Sequence, residues 1–222
     1  MLQLILGGSG SGKTALLYQR IRTLAQAGKK SILLVPEQFT SSTEGRIYRE
    51  MGDELSVMVD SFSFTSLAER ILSAEGGAAV RTLTDAGRAV LVRRALEQLQ
   101  DNVQYYYRHR RSAAFCQMAA QTIDELKSAG VSGTQLYDLA QSCGPEQAKL
   151  SELALIYQGY ETLLAQTGMD PSDRLELAAG RLEAAQARGT MPELLQGRAV
   201  FIDEFDTFNA PKKRLLGALL AS

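Results

Sequence analysis

The chain has 222 residues, 45% hydrophobic and 22% charged, with a formal net charge of −1 at neutral pH. This suits a soluble globular protein with one large domain or a core carrying an insertion; it gives no global field toward nucleic acid or membrane, so any DNA contact has to come from a local patch. One histidine and two distant cysteines, Cys116 and Cys143, nearly exclude a Ser-His-Asp triad or a histidine–metal site and favour reduced thiols on helices of a cytoplasmic protein.

No apolar run reaches membrane-spanning length, and the start lacks the basic region and cleavage site of a signal peptide. Residues 2–6 form a short apolar run, which predicts a buried strand. Gly7, Gly8, Ser9, Gly10, Ser11, Gly12, Lys13 and Thr14 then fit the phosphate-loop pattern G-x-x-x-x-G-K-[ST], and residues 15–27 read as a helix. The glycines let successive N–H groups converge on one anion, and the helix aims its positive end at the same place. Lys13 would reach the outer phosphates and the Thr14 hydroxyl would hold Mg²⁺. The bland alternative is a glycine-rich strand-to-helix turn that binds nothing.

Residues 31–35 predict a second parallel strand, ending at Pro36, Glu37, Gln38, Phe39 and Thr40. Loops after the carboxyl ends of such strands are where ligands bind in open α/β sheets. Glu37 and Gln38 either couple nucleotide to DNA or simply cap the loop. Ser41, Ser42 and Thr43 can cap the next helix, with Glu44 in its first turn. Residues 55–60 predict a third strand, followed by Ser61, Phe62, Ser63, Phe64 and Thr65 and a helix over 66–74 that Gly76 and Gly77 end.

From Val80 to about Met191 the pattern is helical with no convincing strand. Thr84 caps a helix through Leu99; Phe115, Met118, Ala119, Thr122, Ile123 and Leu126 follow helical spacing, as do Leu150, Leu153, Tyr157, Tyr160 and Leu164. These stripes predict core. Asp170 as N-cap and Pro171 at the first helical position open a helix through Ala187. Between these stretches, Tyr105, Tyr106, Tyr107, Arg108, His109, Arg110 and Arg111 interleave aromatics with charge. They either stack bases and contact phosphates of single-stranded DNA or form a solvated linker packed on the insertion.

Residues 199–202 restore the strand pattern and lead into Asp203 and Glu204. A strand ending in two acids is the partner a phosphate loop needs: Asp203 to hold Mg²⁺ through water, and Glu204 to orient or deprotonate the attacking water. Asn209 and Pro211 start a last helix. The expected fold is α/β: a P-loop NTPase (RecA-like) parallel sheet over residues 1–77 and 193–222, interrupted by a helical insertion subdomain over 78–192.

Four pieces in this order carry a resemblance: the loop from Gly7 to Thr14, residues 34–40 with Pro36-Glu37-Gln38-Phe39-Thr40, residues 59–68, and residues 201–206 with Asp203-Glu204. The set resembles the superfamily 1 helicase core and is similar to the amino terminus of the AddB (RexB-like) subunit of AddAB helicase–nucleases, across essentially the whole chain. The resemblance implies ATP and Mg²⁺ as cofactors, processing of double-strand DNA ends for recombination, and a heterodimer with an AddA-like subunit carrying the principal motor. It implies that Thr40, Ser61, Phe62 and Ser63 lie along a single-strand path. Family members continue into a second RecA-like domain and a nuclease domain with an iron–sulfur cluster, so the chain reads as an amino-terminal fragment. Many relatives are regarded as inactive or regulatory motors; Glu204 keeps hydrolysis open here. Two other readings remain: a scaffold for DNA and partner with a relic loop, and a small-molecule P-loop kinase. Against the kinase stand the large helical insertion and the lack of a lid-like arginine pair.

Overall fold

A computed structural model describes residues 2–221. The order of elements is α1 (Lys13–Gln26), β1 (Ser31–Leu34), α2 (Thr40–Ser56), β2 (Val59–Phe62), α3 (Phe64–Glu75), α4 (Asp85–Gln98), α5 (Ala113–Ala129), α6 (Gly133–Ala140), α7 (Gln147–Thr167), α8 (Pro171–Ala187), β3 (Ala199–Ile202) and α9 (Ala210–Leu220). The fold class is α/β, with a small parallel sheet ordered β2-β1-β3. Ser31 lies opposite Val59 on one side and Ala199 on the other, so the three strands are in step.

The chain divides into two compact units, one of residues 1–78, 175–208 and 212–222, the other of 79–174 and 209–211. In the sheet unit β1 is buried along its whole length. That is why residues 31–34 read as a continuous apolar run rather than an alternating one. Leu33 and Val35 pack on one face against Leu17, Tyr18 and Ile21 of α1 and Ile47 and Met51 of α2. Ile32 and Leu34 pack on the other against α3, the α8 residues Leu175, Ala178, Ala179 and Leu182, and Leu215 of α9. Each such fully buried leucine or isoleucine contributes about 2 kcal/mol.

The helical unit has its own core. Leu91, Val92, Ala95 and Leu96 of α4 meet Cys116, Ala119, Ala120 and Ile123 of α5 and Ile156, Tyr157, Tyr160, Leu163 and Leu164 of α7. Of the expected stripes, Phe115, Ala119, Ile123 and Leu126 on α5 and Tyr157, Tyr160 and Leu164 on α7 join this core; Thr122, Leu150 and Leu153 are half-buried outside it, and Met118 is exposed. Thr84 caps α4 by accepting the Gly87 N–H, and Ser112 caps α5 by accepting the Phe115 N–H. Cys116 is buried in this core; Cys143 is exposed and lies just beyond α6 rather than on a helix.

Three expectations are corrected. Residues 2–6 form no strand, and Leu2, Leu4 and Leu6 are 60%, 72% and 85% exposed. An apolar run becomes a strand only beside a neighbour that takes its backbone hydrogen bonds, and these residues pair with none of the three strands. The third strand starts at Val59 rather than Leu55, because α2 carries on to Ser56 across a kink at Gly52, where φ is 72°. Ser61 and Phe62 consequently sit within β2. Finally, Ser41, Ser42 and Thr43 do not cap α2. They lie in its first turn, preceded by a 3₁₀ turn over Glu37–Phe39.

Candidate functional site

In the loop from Gly7 to Thr14, Gly10 and Gly12 have φ of 73° and 82°, a region that glycine enters freely. Gly12 is the N-cap of α1 and brings no side chain to it, so the first amides of the helix are not covered by a capping oxygen. The Ser11 N–H donates to the Gly8 carbonyl at 3.3 Å. A Cβ on Gly7 would stand 2.4 Å from Ser11 Oγ, so a larger residue there would turn the Ser11 hydroxyl aside. Lys13 curls back: its Nζ donates to the Gly7 and Gly8 carbonyls at 2.9 and 2.7 Å. The chain thus presents a ring of backbone around one ammonium at the amino end of a 14-residue helix. Ser9 and Thr14 belong to the same stretch, Ser9 exposed and Thr14 half-buried.

At the end of β3, the Asp203 N–H donates to the Leu34 carbonyl at 3.1 Å and holds the acid in register with the sheet. Its Oδ2 is buried with no hydrogen-bond partner among the described residues. An unpartnered buried carboxylate oxygen is costly, and a cation or its water is the chemistry that satisfies it. Glu204 follows, exposed, with φ of 64°. A non-glycine residue held there marks strain of about 1–3 kcal/mol and turns the side chain away from the strand.

Two residues that the sequence did not single out belong to this region. Tyr18 on α1 is 6% exposed, and its phenol is pushed above the ordinary range first by burial. Arg46 opposes that shift, and the charges of Glu204 and Asp203 add to it. The two acids are therefore within electrostatic reach of α1, the helix that carries Lys13. The Arg46 guanidinium lies 4.6 Å from the Tyr18 ring centre. Neither residue fits a motif; only their spacing on amphipathic helices marks them, and that predicts core alone.

The loops after β1 and β2 touch. Ser63 is buried and caps α3, accepting the Ser66 N–H at 3.1 Å while the Ser66 hydroxyl accepts the Ser63 N–H. The Ser63 hydroxyl also reaches the Glu37 carboxylate at 3.4 Å, and the Thr40 hydroxyl donates to the Glu37 carbonyl at 2.9 Å. Thr40, Glu37 and Ser63 are thus brought together. Phe62 packs into the sheet unit's core, and Ser61 Oγ is buried without a partner among the described residues. Beyond Glu204, Phe205 and Phe208 close edge-on against Phe64, with ring centres 5.2 and 5.9 Å away.

In the helical unit, the Glu152 carboxylate collects the N–H groups of Gln104, Tyr105 and Tyr106 at 2.9 to 3.1 Å and shapes the turn before Tyr107–His109. Tyr105 and Arg108 are exposed, and Lys149 lies 5.5 Å from the Tyr105 ring centre. Arg110 stacks on Tyr107 at 4.0 Å and is half-buried, whereas Arg111 is exposed. Tyr106 stacks on Phe115 in the core. The run is therefore divided: Tyr106 anchors, while Tyr105, Arg108 and Arg111 face outward.

A family model described as ADDB, N-terminal matches residues 4–222. Curated relatives, each named as the B subunit of an ATP-dependent helicase/deoxyribonuclease, include those of Moorella thermoacetica, 34% identical, Thermoanaerobacter sp. (strain X514), 31%, and Clostridium perfringens (strain SM101 / Type A), 29%. Each alignment covers 99% of this chain but only 19% of the relative, so the chain spans about a fifth of their length.

Proposed function

We propose, from the premise that this chain belongs to the family of ADDB N-terminal regions, that it is the nucleotide-binding, helicase-like part of a helicase/deoxyribonuclease subunit. In this reading the sheet unit is a P-loop NTPase core. Lys13 and the amides of the loop hold the phosphates of ATP; Thr14 and Asp203 hold Mg²⁺, and Glu204 orients water. Bound Mg²⁺ would supply charge neutralisation between the phosphates. The residues fit: no side chain caps the first amides of α1 after Gly12, and Asp203 keeps a buried oxygen free. That free oxygen at the carboxyl end of the strand after the helical unit is the observation that carries the reading.

The assembly would work on DNA ends in recombinational repair, in the cytoplasm, with an AddA-like partner. The exposed Tyr105, Arg108 and Arg111 would meet single-stranded DNA by stacking and phosphate contact. Hydrolysis by these 222 residues alone would be slow. Transition-state charge from a second domain is worth about a thousandfold or more in rate.

Equilibrium binding of a fluorescent ATP analogue tests this. Wild type should bind with Mg²⁺ dependence, Lys13→Ala should lose at least about tenfold in affinity, and Asp203→Asn should lose the Mg²⁺ dependence. Equal, negligible signal from wild type and Lys13→Ala would sink it. That outcome belongs to the second reading, a DNA and partner scaffold with a relic loop. One observation favours that reading: two of the three Lys13 ammonium N–H bonds already go to the loop's own carbonyls.

A further inference from the structure

The turn at Tyr105 is shaped from outside its own segment. Glu152, 47 residues further along the chain, points its carboxylate at three successive amides, those of Gln104, Tyr105 and Tyr106. Successive N–H groups converging on one anion form a nest, and bonds to a charged acceptor are stronger than neutral ones. With the backbone pinned there, neighbouring side chains part. Tyr106 goes inward onto Phe115, with ring centres 5.5 Å apart. Tyr105 stays exposed, its ring braced edge-on against Tyr106 at 4.9 Å.

Two cations stand beside that exposed ring, one from each segment. The Arg108 guanidinium is 5.6 Å from its centre and the Lys149 ammonium 5.5 Å. Lys149 lies one turn before Glu152 on α7, so the two project from the same side of the helix. Lys149 pairs with Glu146 at 3.0 Å, and both side chains are exposed. A surface pair of this kind is weak, so a phosphate can take the ammonium over.

We infer that the single-strand contact is built from two segments: the first turns of α7 complete it, with Lys149 as a further phosphate contact and Glu152 as the positioning residue that presents Tyr105. This rests on the reading of Tyr105, Arg108 and Arg111 as a single-strand surface. A turn that had to order itself on binding would lose affinity to its own entropy; the Glu152 nest orders it beforehand. The role reverses an electrostatic expectation. Removing an acid from beside nucleic acid ordinarily strengthens binding. Removing Glu152 weakens it, because the ring is no longer held in place.

Binding of a labelled oligothymidine to the 222-residue chain over a range of salt tests this. Lys149→Ala should lower affinity about fivefold at 0.1 M salt and reduce the salt slope by about 0.7, the share of one single-strand phosphate. Glu152→Ala should lower affinity about fivefold or more, as for a weakened base stack, with the salt slope unchanged. Glu152→Gln, which keeps one acceptor oxygen, should lose less. In a Tyr105→Ala background, Glu152→Ala should weaken binding no further. Each variant should keep the wild-type helical circular dichroism; were Glu152→Ala to unfold, Glu152→Gln carries the same sign test. Glu152 variants that bind as tightly as wild type, or more tightly, overturn the positioning role. An unchanged salt slope in Lys149→Ala overturns the added phosphate contact. If Arg108→Ala and Arg111→Ala also bind like wild type, the single-strand surface fails as a whole; if those two lose affinity while the α7 variants do not, only the α7 half fails.

Discussion

Lys127 in the helical unit is 8% exposed, with Nζ 2.9 Å from Asp173 and 3.0 Å from Asp170. Burial lowers its proton affinity, but the two carboxylates overcome that and hold it above the ordinary lysine range. Asp170, 1% exposed, also accepts the Tyr160 hydroxyl at 2.6 Å. Lys127→Met leaves that carboxylate without its counter-charge, and urea unfolding should show a loss of about 3–5 kcal/mol. Glu161, 4.0 Å from Lys127, behaves differently. Burial raises its carboxyl, and Lys127 lowers it by less. The folded chain therefore holds this proton more tightly than the unfolded chain, and stability falls as pH climbs through the carboxylate range. Glu161→Gln should remove that decline, so melting points of variant and wild type converge in acid and separate toward neutral pH, the variant higher.

Element boundaries depend on capping, and α3 shows the energetics. Ser63 accepts the Ser66 N–H and donates toward Glu37, so one hydroxyl both starts a helix and ties it to the preceding loop. Ser63→Ala should cost about 1 kcal/mol in chemical denaturation. The caps at Thr84 and Ser112 are of the same kind, and that chemistry is local, which is why α4 is legible from sequence. The strands β1 and β3 are legible too, because each is a short apolar run bounded by turn chemistry. The residue 2–6 segment has the same pattern and is not a strand; whether an apolar run pairs is set by a neighbour distant in sequence. Asp170 reads as a cap, but its carboxylate goes to Lys127 and Tyr160, partners no local rule reveals. At the candidate site, the loop and the two acids are legible as motifs. Tyr18 and Arg46 are not, since what distinguishes them is the nearby acid charge that the fold brings to α1.

At the scale of the molecule, each unit buries its own core, so one can be asked to stand without the other. In the helical unit Thr82 bridges Met169, and Arg174 donates to the Val80 carbonyl at 2.7 Å, fastening its two chain ends together. Residues 79–174 expressed alone should give a helical circular-dichroism spectrum and a cooperative melt. A gradual, non-cooperative loss of helix would mean that the unit depends on the rest of the chain.

Lys13 closes its own loop, and this shapes how the loop would choose a guest. Two of the three ammonium N–H bonds go to carbonyl oxygens, so a newcomer that draws Lys13 fully to itself trades those two contacts. A trade of near-equal bonds confers little preference by itself; what tips it is formal charge. The loop would therefore rank visitors by valence, favouring a nucleoside triphosphate over its diphosphate and ignoring uncharged sugars and bases however well they fit.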